Sequence, residues 1–277
     1  MTTSGQHDQH DQHTPTDRFR RWARTMIAHR LGDPADRHRA GPAHEIYQSS
    51  TMGALLDGVY EGDVTIAELL THGDFGLGTF NRLDGEMVVL DGICYHLWSD
   101  GSAAPAEPMD RTPFAVVTRF EPQGSIRVTK PMERAEVIAL IDKVIPSANL
   151  VHAVRITGTF GSVRTRTVMK QTPPYPPLVQ ATEGQSETTF TETAGTLAGF
   201  RSPDYEQGIS VAGYHLHFLD AQRGSGGHAL DFRLDDGDID ISTASEFHLS
   251  LPRSGKFLNA DLSTDRMAEQ IRRTEGG

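Results

Sequence analysis

The 277-residue chain has a single cysteine, Cys94, so no disulfide can form within it and a cysteine-based zinc cluster is excluded. Long apolar runs are missing too: the longest are about five or six residues, and a membrane-spanning helix needs ~20. Positive charge is the scarcer sign, with 26 Lys and Arg against 37 Asp and Glu. The net charge of -11 disfavours nucleic acid, whose binders set a basic stripe against phosphates. The opening MTTSGQHDQHDQH has neither the basic n-region nor the apolar h-region of a secretory signal, which predicts a cytoplasmic protein. What is present is 37% hydrophobic and 23% charged residue content, a balance that builds a real core. At roughly 150 residues per domain, the length suits one elaborate domain or two small ones.

Residues 1–43 divide from the rest by composition. His7, His10 and His13 recur at every third position of a polar tract that reads as a disordered leader or a metal-scavenging tail. Phe19, Trp22, Met26 and Ile27 follow a helical period within the basic segment 18–30. A Gly/Pro/charge-rich linker then runs to the folded body, which begins near His44. Met52, Leu55, Leu56 and Val59 predict an amphipathic helix, and Thr65-x-x-Glu68 predicts a capping box for a second helix closed by Gly73.

Strands are predicted at 86–90, 93–98, 114–120 and 125–129, the first two joined by an Asp91-Gly92 hairpin turn. Val137, Leu140, Ile141 and Val144 predict a helix that Pro146 stops. Further strands are expected at 150–160, 163–169, 213–219, 228–234, 238–242 and 246–251, with a last helix near 261–273. Strands outnumber helices about three to one, so the fold class is α+β, with mostly antiparallel sheet and fringing helices. Residues 44–150 form an α+β half and 151–277 a β-rich half packed closely against it.

The sharpest chemical feature is Gly213-Tyr-His215-Leu-His217-Phe-Leu-Asp220, followed by a Gly-rich turn and His228. On a strand, residues i and i+2 share a face, so His215 and His217 present adjacent imidazoles. The turn returns His228 on a neighbouring strand. Three converging imidazoles suit Zn²⁺ with a fourth position open, and neutral imidazoles also suit Fe, Mn, Ni or Cu. A cupin-type H-x-H site would want Glu four residues on, where this chain has Ala221.

Two other segments offer charged groups. In residues 72–86, Gly73, Gly76 and Gly78 do not make a dinucleotide fingerprint and read instead as tight turns entering the sheet, and Glu86 opens a strand. By itself Glu86 reads as an exposed carboxylate at a strand start. In residues 156–168, Arg164 and Arg166 share a strand face. They read either as solvated cross-strand ion pairs or, near a metal, as a bidentate clamp for a substrate carboxylate.

Taken together these segments resemble the alpha-acetolactate decarboxylases. The likeness runs through YQSSTMGALLDGVYEGD, HGDFGLGTFNRLDGE, YHLWSDG, ITGTFGSVRTRTV, PPYPPL, GYHLHFLD, GGH and the LP…DLS close, in that order, and leaves out the first forty-odd residues. The resemblance implies that His215, His217 and His228 hold one Zn²⁺ per chain, that Glu86 and Arg166 are catalytic, and that Thr79 lines the same cavity. The family's C-terminal glutamate matches Glu275 in RRTEGG, with Glu269 one or two helical turns earlier. It further implies an intracellular homodimer that converts 2-acetolactate to (R)-acetoin and CO2 without an organic cofactor. The ion would stabilise the charge that develops as CO2 departs, and the two glutamates would move protons. A lactonase-type metal hydrolase and a non-catalytic metal- or ligand-binding protein of similar fold are the alternatives.

Overall fold

The computed structural model describes residues 44–262 and 267–275. The leader and its expected basic helix lie outside the described residues. β1 (Glu45–Ser49) leads into α1 (Met52–Leu56), where the Thr51 hydroxyl caps the first turn by accepting from the Ala54 N–H. β2 (Val64–Thr65) precedes α2 (Ile66–His72), and Thr65 caps it as expected, accepting from the Glu68 N–H at 3.2 Å. Next come β3 (Phe75–Thr79), β4 (Glu86–Leu90), β5 (Ile93–Leu97), β6 (Ala103–Pro105), β7 (Arg111–Thr112) and β8 (Phe114–Thr118). β9 (Gly124–Val128) and β10 (Met132–Glu133) precede α3 (Arg134–Val144). The C-terminal part holds β11 (Val151–Thr167), α4 (Leu178–Ala181), β12 (Ser186–Ser202), β13 (Gly213–Asp220), β14 (Gly226–Ala244) and β15 (Glu246–Ser250). It ends in α5 (Gly255–Leu258) and α6 (Met267–Glu275).

The fold is α+β, and its two main sheets are mostly antiparallel. One has seven strands in the order β15-β1-β8-β3-β4-β5-β6, with only β1 and β15 parallel. The other runs β10-β14-β11-β12-β13, with β9 also on β14, and β13 pairs back onto β14 so that the sheet curls round on itself. Strands cross between the halves of the chain: β9 and β10 join the second sheet, and β15 joins the first. Among the described residues no helix is long and apolar enough to cross a membrane.

Side-chain alternation decides what faces what. On β4, Met87 and Val89 pack with Ile66 and Leu69 of α2, whereas Val88 and Leu90 face the second sheet beside Ala198, Phe200 and Leu219. Glu86 has the parity of Val88, so the strand aims it between the sheets. On β13, Leu216 and Phe218 enter a separate core inside the curled sheet with Phe160, Val163 and Phe232. Each such burial stabilises by roughly 1.5–3 kcal/mol. It also fixes the strand register, since a one-residue slip would exchange the two faces.

The expected hairpin is present, with Asp91 at φ 52° and Gly92 at φ 78°, the left-handed pair that such a turn requires. Two expectations change. The segments 150–160 and 163–169 are one strand, β11, and 228–234 and 238–242 are likewise one strand, β14. Register shifts at Thr159/Phe160, Phe160/Ser162 and Arg164/Thr165 absorb the breaks in alternation. β3, anticipated only as glycine-rich turns, is a central strand. A Cβ on Gly76 or Gly78 would lie 2.1 Å from the Val116 carbonyl oxygen or 2.5 Å from that of Phe114, so close approach of β8 requires both glycines.

Candidate active site

β13 and β14 build the imidazole cluster. His217 and His228 are direct cross-strand partners, and His215 stands two residues back on the His217 face. Their ligand atoms lie within 4.8 Å of one another. The Nε2 of His217 is 3.2 Å from His215 Nε2 and 3.3 Å from His228 Nδ1. At metal–nitrogen distances of 2.0–2.1 Å a tetrahedral edge measures about 3.3–3.4 Å, so these spacings suit a tetrahedral ion. The outward nitrogens are fixed from behind: His217 Nδ1–H donates to the Met87 carbonyl at 2.8 Å, and His228 Nε2–H to the Glu275 carbonyl at 3.2 Å. Those bonds select the tautomers that turn the remaining nitrogens inward. Burial, with Arg166 adding to it, holds His215 down to about 3. His217 and His228 are also pushed well below the ordinary range, chiefly by burial. All three are therefore neutral, as ligands must be.

Charged groups converge on this cluster from three directions. Arg166 on β11 is the cross-strand partner of His228 and is 3% exposed. Its Nη2 is 3.3 Å from Glu275 Oε2, and its Nη1 donates to Gln185 Oε1 at 3.2 Å. The buried Nε–H has no protein partner, which suits it to an incoming anion. Glu275 Oε2 lies 3.5 Å from His215 Nε2 and 3.6 Å from His228 Nδ1. From the first sheet, Glu86 Oε2 is 3.7 Å from His217 Nε2. Burial drives Glu86 up to about 8; Arg166 and the Val168 N–H oppose this and Glu275 reinforces it. Glu275 is raised as well, by burial against the pull of Arg166.

Thr79 pairs with Glu86 across β3 and β4, and its hydroxyl donates to the Gly85 carbonyl at 2.7 Å. A cleft opens here, lined by Thr79, Glu86, Arg166, His215 and Glu275 on its polar side. Met52, Leu55, Leu83, Phe114, Val168 and Leu178 form its apolar wall. Every residue expected at the site is thus brought together. Arg164 stays outside: it is half exposed and ion-paired to Glu187 at 3.3 Å. Glu269 is also exposed, in the first turn of α6.

Known proteins match the chain over most of its length. The family model described as alpha-acetolactate decarboxylase matches residues 46–264. The chain belongs to the alpha-acetolactate decarboxylase family. An alpha-acetolactate decarboxylase of Methylococcus capsulatus is 49% identical over 223 residues, which cover 80% of this chain and 86% of that protein. One from Bacillus subtilis is 46% identical over 85% of this chain and 92% of its own length. A crystal structure of the Bacillus subtilis decarboxylase superposes with a TM-score of 0.83 at 45% identity, covering 84% of this chain and 100% of that one. Within this decarboxylase family match lie Thr79, Glu86, Arg166 and the three histidines, while Glu275 falls beyond its end.

Several contributors to the site carry no sequence signal. The Met87 carbonyl and the Val168 N–H act through backbone that any residue would supply. Gln185 is an isolated amide in a polar stretch. Met52, Leu55 and Leu178 look like ordinary core residues. Only pairing of distant strands discloses that they line a cleft.

Proposed function

We propose that the chain decarboxylates 2-acetolactate to (R)-acetoin and CO2, using one zinc ion held by His215, His217 and His228. The observation that carries this reading is the convergence of three neutral imidazoles, one arginine and two carboxyl groups at the polar end of an otherwise apolar cleft. When bound, the ion supplies an electrophile for the charge that builds on the substrate's oxygens as CO2 leaves.

The protein's own groups do the remainder. Arg166 binds the substrate carboxylate through its unpartnered Nε–H, and the apolar wall takes the two methyl groups. As the bond to the carboxyl carbon breaks, its electron pair moves toward the neighbouring ketone, and the carbon that lost CO2 then needs a proton. Glu86, whose burial favours the protonated form, stands at the cleft to deliver it. Glu275, facing both Arg166 and His215, accepts the proton of the tertiary hydroxyl and returns it as product forms. Thr79 restrains the Glu86 turn through Gly85. A cytoplasmic homodimer completes this reading on the family likeness, and sedimentation of the purified chain tests the dimer.

The decisive experiment incubates the zinc-loaded protein with racemic acetolactate and follows CO2 and acetoin together. Equal release of both is expected. Absence of acetoin from fully metallated protein overturns the proposal, and hydrolysis of lactones in its place would favour a hydrolase.

A further inference from the structure

We propose that Gln185 is a positioning residue for Arg166, holding the guanidinium in place without adding a second negative charge beside Glu275, so that Arg166 stays available to the substrate carboxylate. The inference rests on the decarboxylase reading and specifies how its carboxylate-binding group is kept available.

The observation is an internal pair of matched contacts. β11 and β12 run antiparallel with Arg164 opposite Thr189 and Arg166 opposite Glu187. Each arginine ignores the residue directly across and reaches the one two positions earlier on the partner chain segment. Arg164 Nη1 meets Glu187 Oε2 at 3.3 Å, and Arg166 Nη1 meets Gln185 Oε1 at 3.2 Å. The offset is the same and the lengths differ by a tenth of an ångström. The chemistry differs: the exposed arginine has a carboxylate, the buried one an amide. The diagonal itself accepts a carboxylate, as the exposed Arg164–Glu187 pair shows.

The amide matters because of what else touches Arg166. Glu275 already faces Nη2 at 3.3 Å. A second carboxylate on Nη1 would surround a buried guanidinium with two negative charges, and an incoming carboxylate would be repelled. The carbonyl oxygen of Gln185 accepts a hydrogen bond and adds no charge. The residue is also held at its backbone: the Gln185 backbone N–H donates to the Thr182 carbonyl at 3.2 Å, and Thr182 lines the cleft.

The test compares Gln185→Glu with the neutral near-isostere Gln185→Met, each with metal content measured. Turnover gives KM and kcat, and equilibrium binding of 2-hydroxyisobutyrate, a non-reacting 2-hydroxy carboxylate, gives Kd. Gln185→Glu should raise KM and that Kd together by roughly 10- to 100-fold, the worth of one hydrogen bond to a charged group, with kcat within a few-fold and metal retained. Gln185→Met should raise both by less. A KM and Kd unchanged in Gln185→Glu overturns the proposal, as does a loss confined to kcat. If Gln185→Glu does not fold, unchanged values in Gln185→Met are enough to overturn it. Failure of the wild-type protein to form acetoin would defeat the decarboxylase reading, while the carboxylate Kd values would still report on Gln185.

Discussion

His152, His217 and His228 are buried and His215 nearly so, and these histidines are of two kinds. His152 on β11 is wholly buried, and both ring nitrogens are engaged by ordinary partners: Nδ1 with the Thr243 hydroxyl at 3.0 Å and Nε2 with the Ser147 carbonyl at 2.8 Å. In the cluster of His215, His217 and His228, nitrogens face other nitrogens at 3.2 and 3.3 Å. His217 and His228 cannot satisfy one another, because each donates its outward N–H to a carbonyl and so turns a lone pair inward. Burial alone therefore does not mark a functional histidine. What separates the two kinds is whether the hydrogen bonds close locally, as at His152, or leave converging lone pairs that only a cation or a proton donor can fill.

The largest effect that sharpens this contrast is expected at His217. His217→Ala should lose the ion by elemental analysis and reduce turnover to background. A fully metallated variant would show that the three nitrogens are not a ligand set. Next in size are the carboxyl groups. Glu275→Gln and Glu86→Gln should each lower kcat by about 10²–10⁴ with the metal still bound, while the exposed Glu269→Gln should be near normal. A crippled Glu269→Gln beside a healthy Glu275→Gln would move the role upstream.

The smallest effect belongs to His152 and is one of stability. Burial, with Arg201 adding to it, pushes His152 down to about 4 against an ordinary 6.5, while the Ser147 carbonyl and Asp142 oppose the shift. The unfolded chain thus takes up the proton first. Stability should fall as pH drops from about 6.5 toward 4, by about 3 kcal/mol in all. His152→Gln should cost about 1–3 kcal/mol at neutral pH, remove that part of the acid limb and leave metal content unchanged. Denaturant melts at several pH values read this out, and identical acid limbs in the two proteins would abolish the distinction between the two kinds.

The chemistry was more legible in the sequence than the architecture. His215 and His217 announce themselves because a period of two is a property of any strand, and the glycine turn then brings back His228. Glu86 and Arg166 are visible only as charged residues beginning or lining a strand; the family likeness singles them out. β12 escaped altogether. Its first half, SETTFTETAG, lacks alternating apolar residues because that stretch lies largely exposed, and its place is set by full-length pairing with β11 rather than by its own pattern. β3 escaped for the opposite reason, since the tight approach of β8 removed the side chains that would have revealed it.

The two closures of the site span very different lengths of chain. The proposed ion between His217 and His228 would tie residues 11 apart, whereas the Arg166–Glu275 contact joins residues 109 apart. By loop-closure entropy the longer tie costs about 2 kcal/mol more to form, and it rests on one terminal helix. Mild denaturant should therefore release the tail first, leaving a hairpin that still chelates its ion. Over that range, metal content would overstate the fraction of working enzyme. During refolding the order would reverse, with the ion captured by the local hairpin before the distant carboxylate arrives.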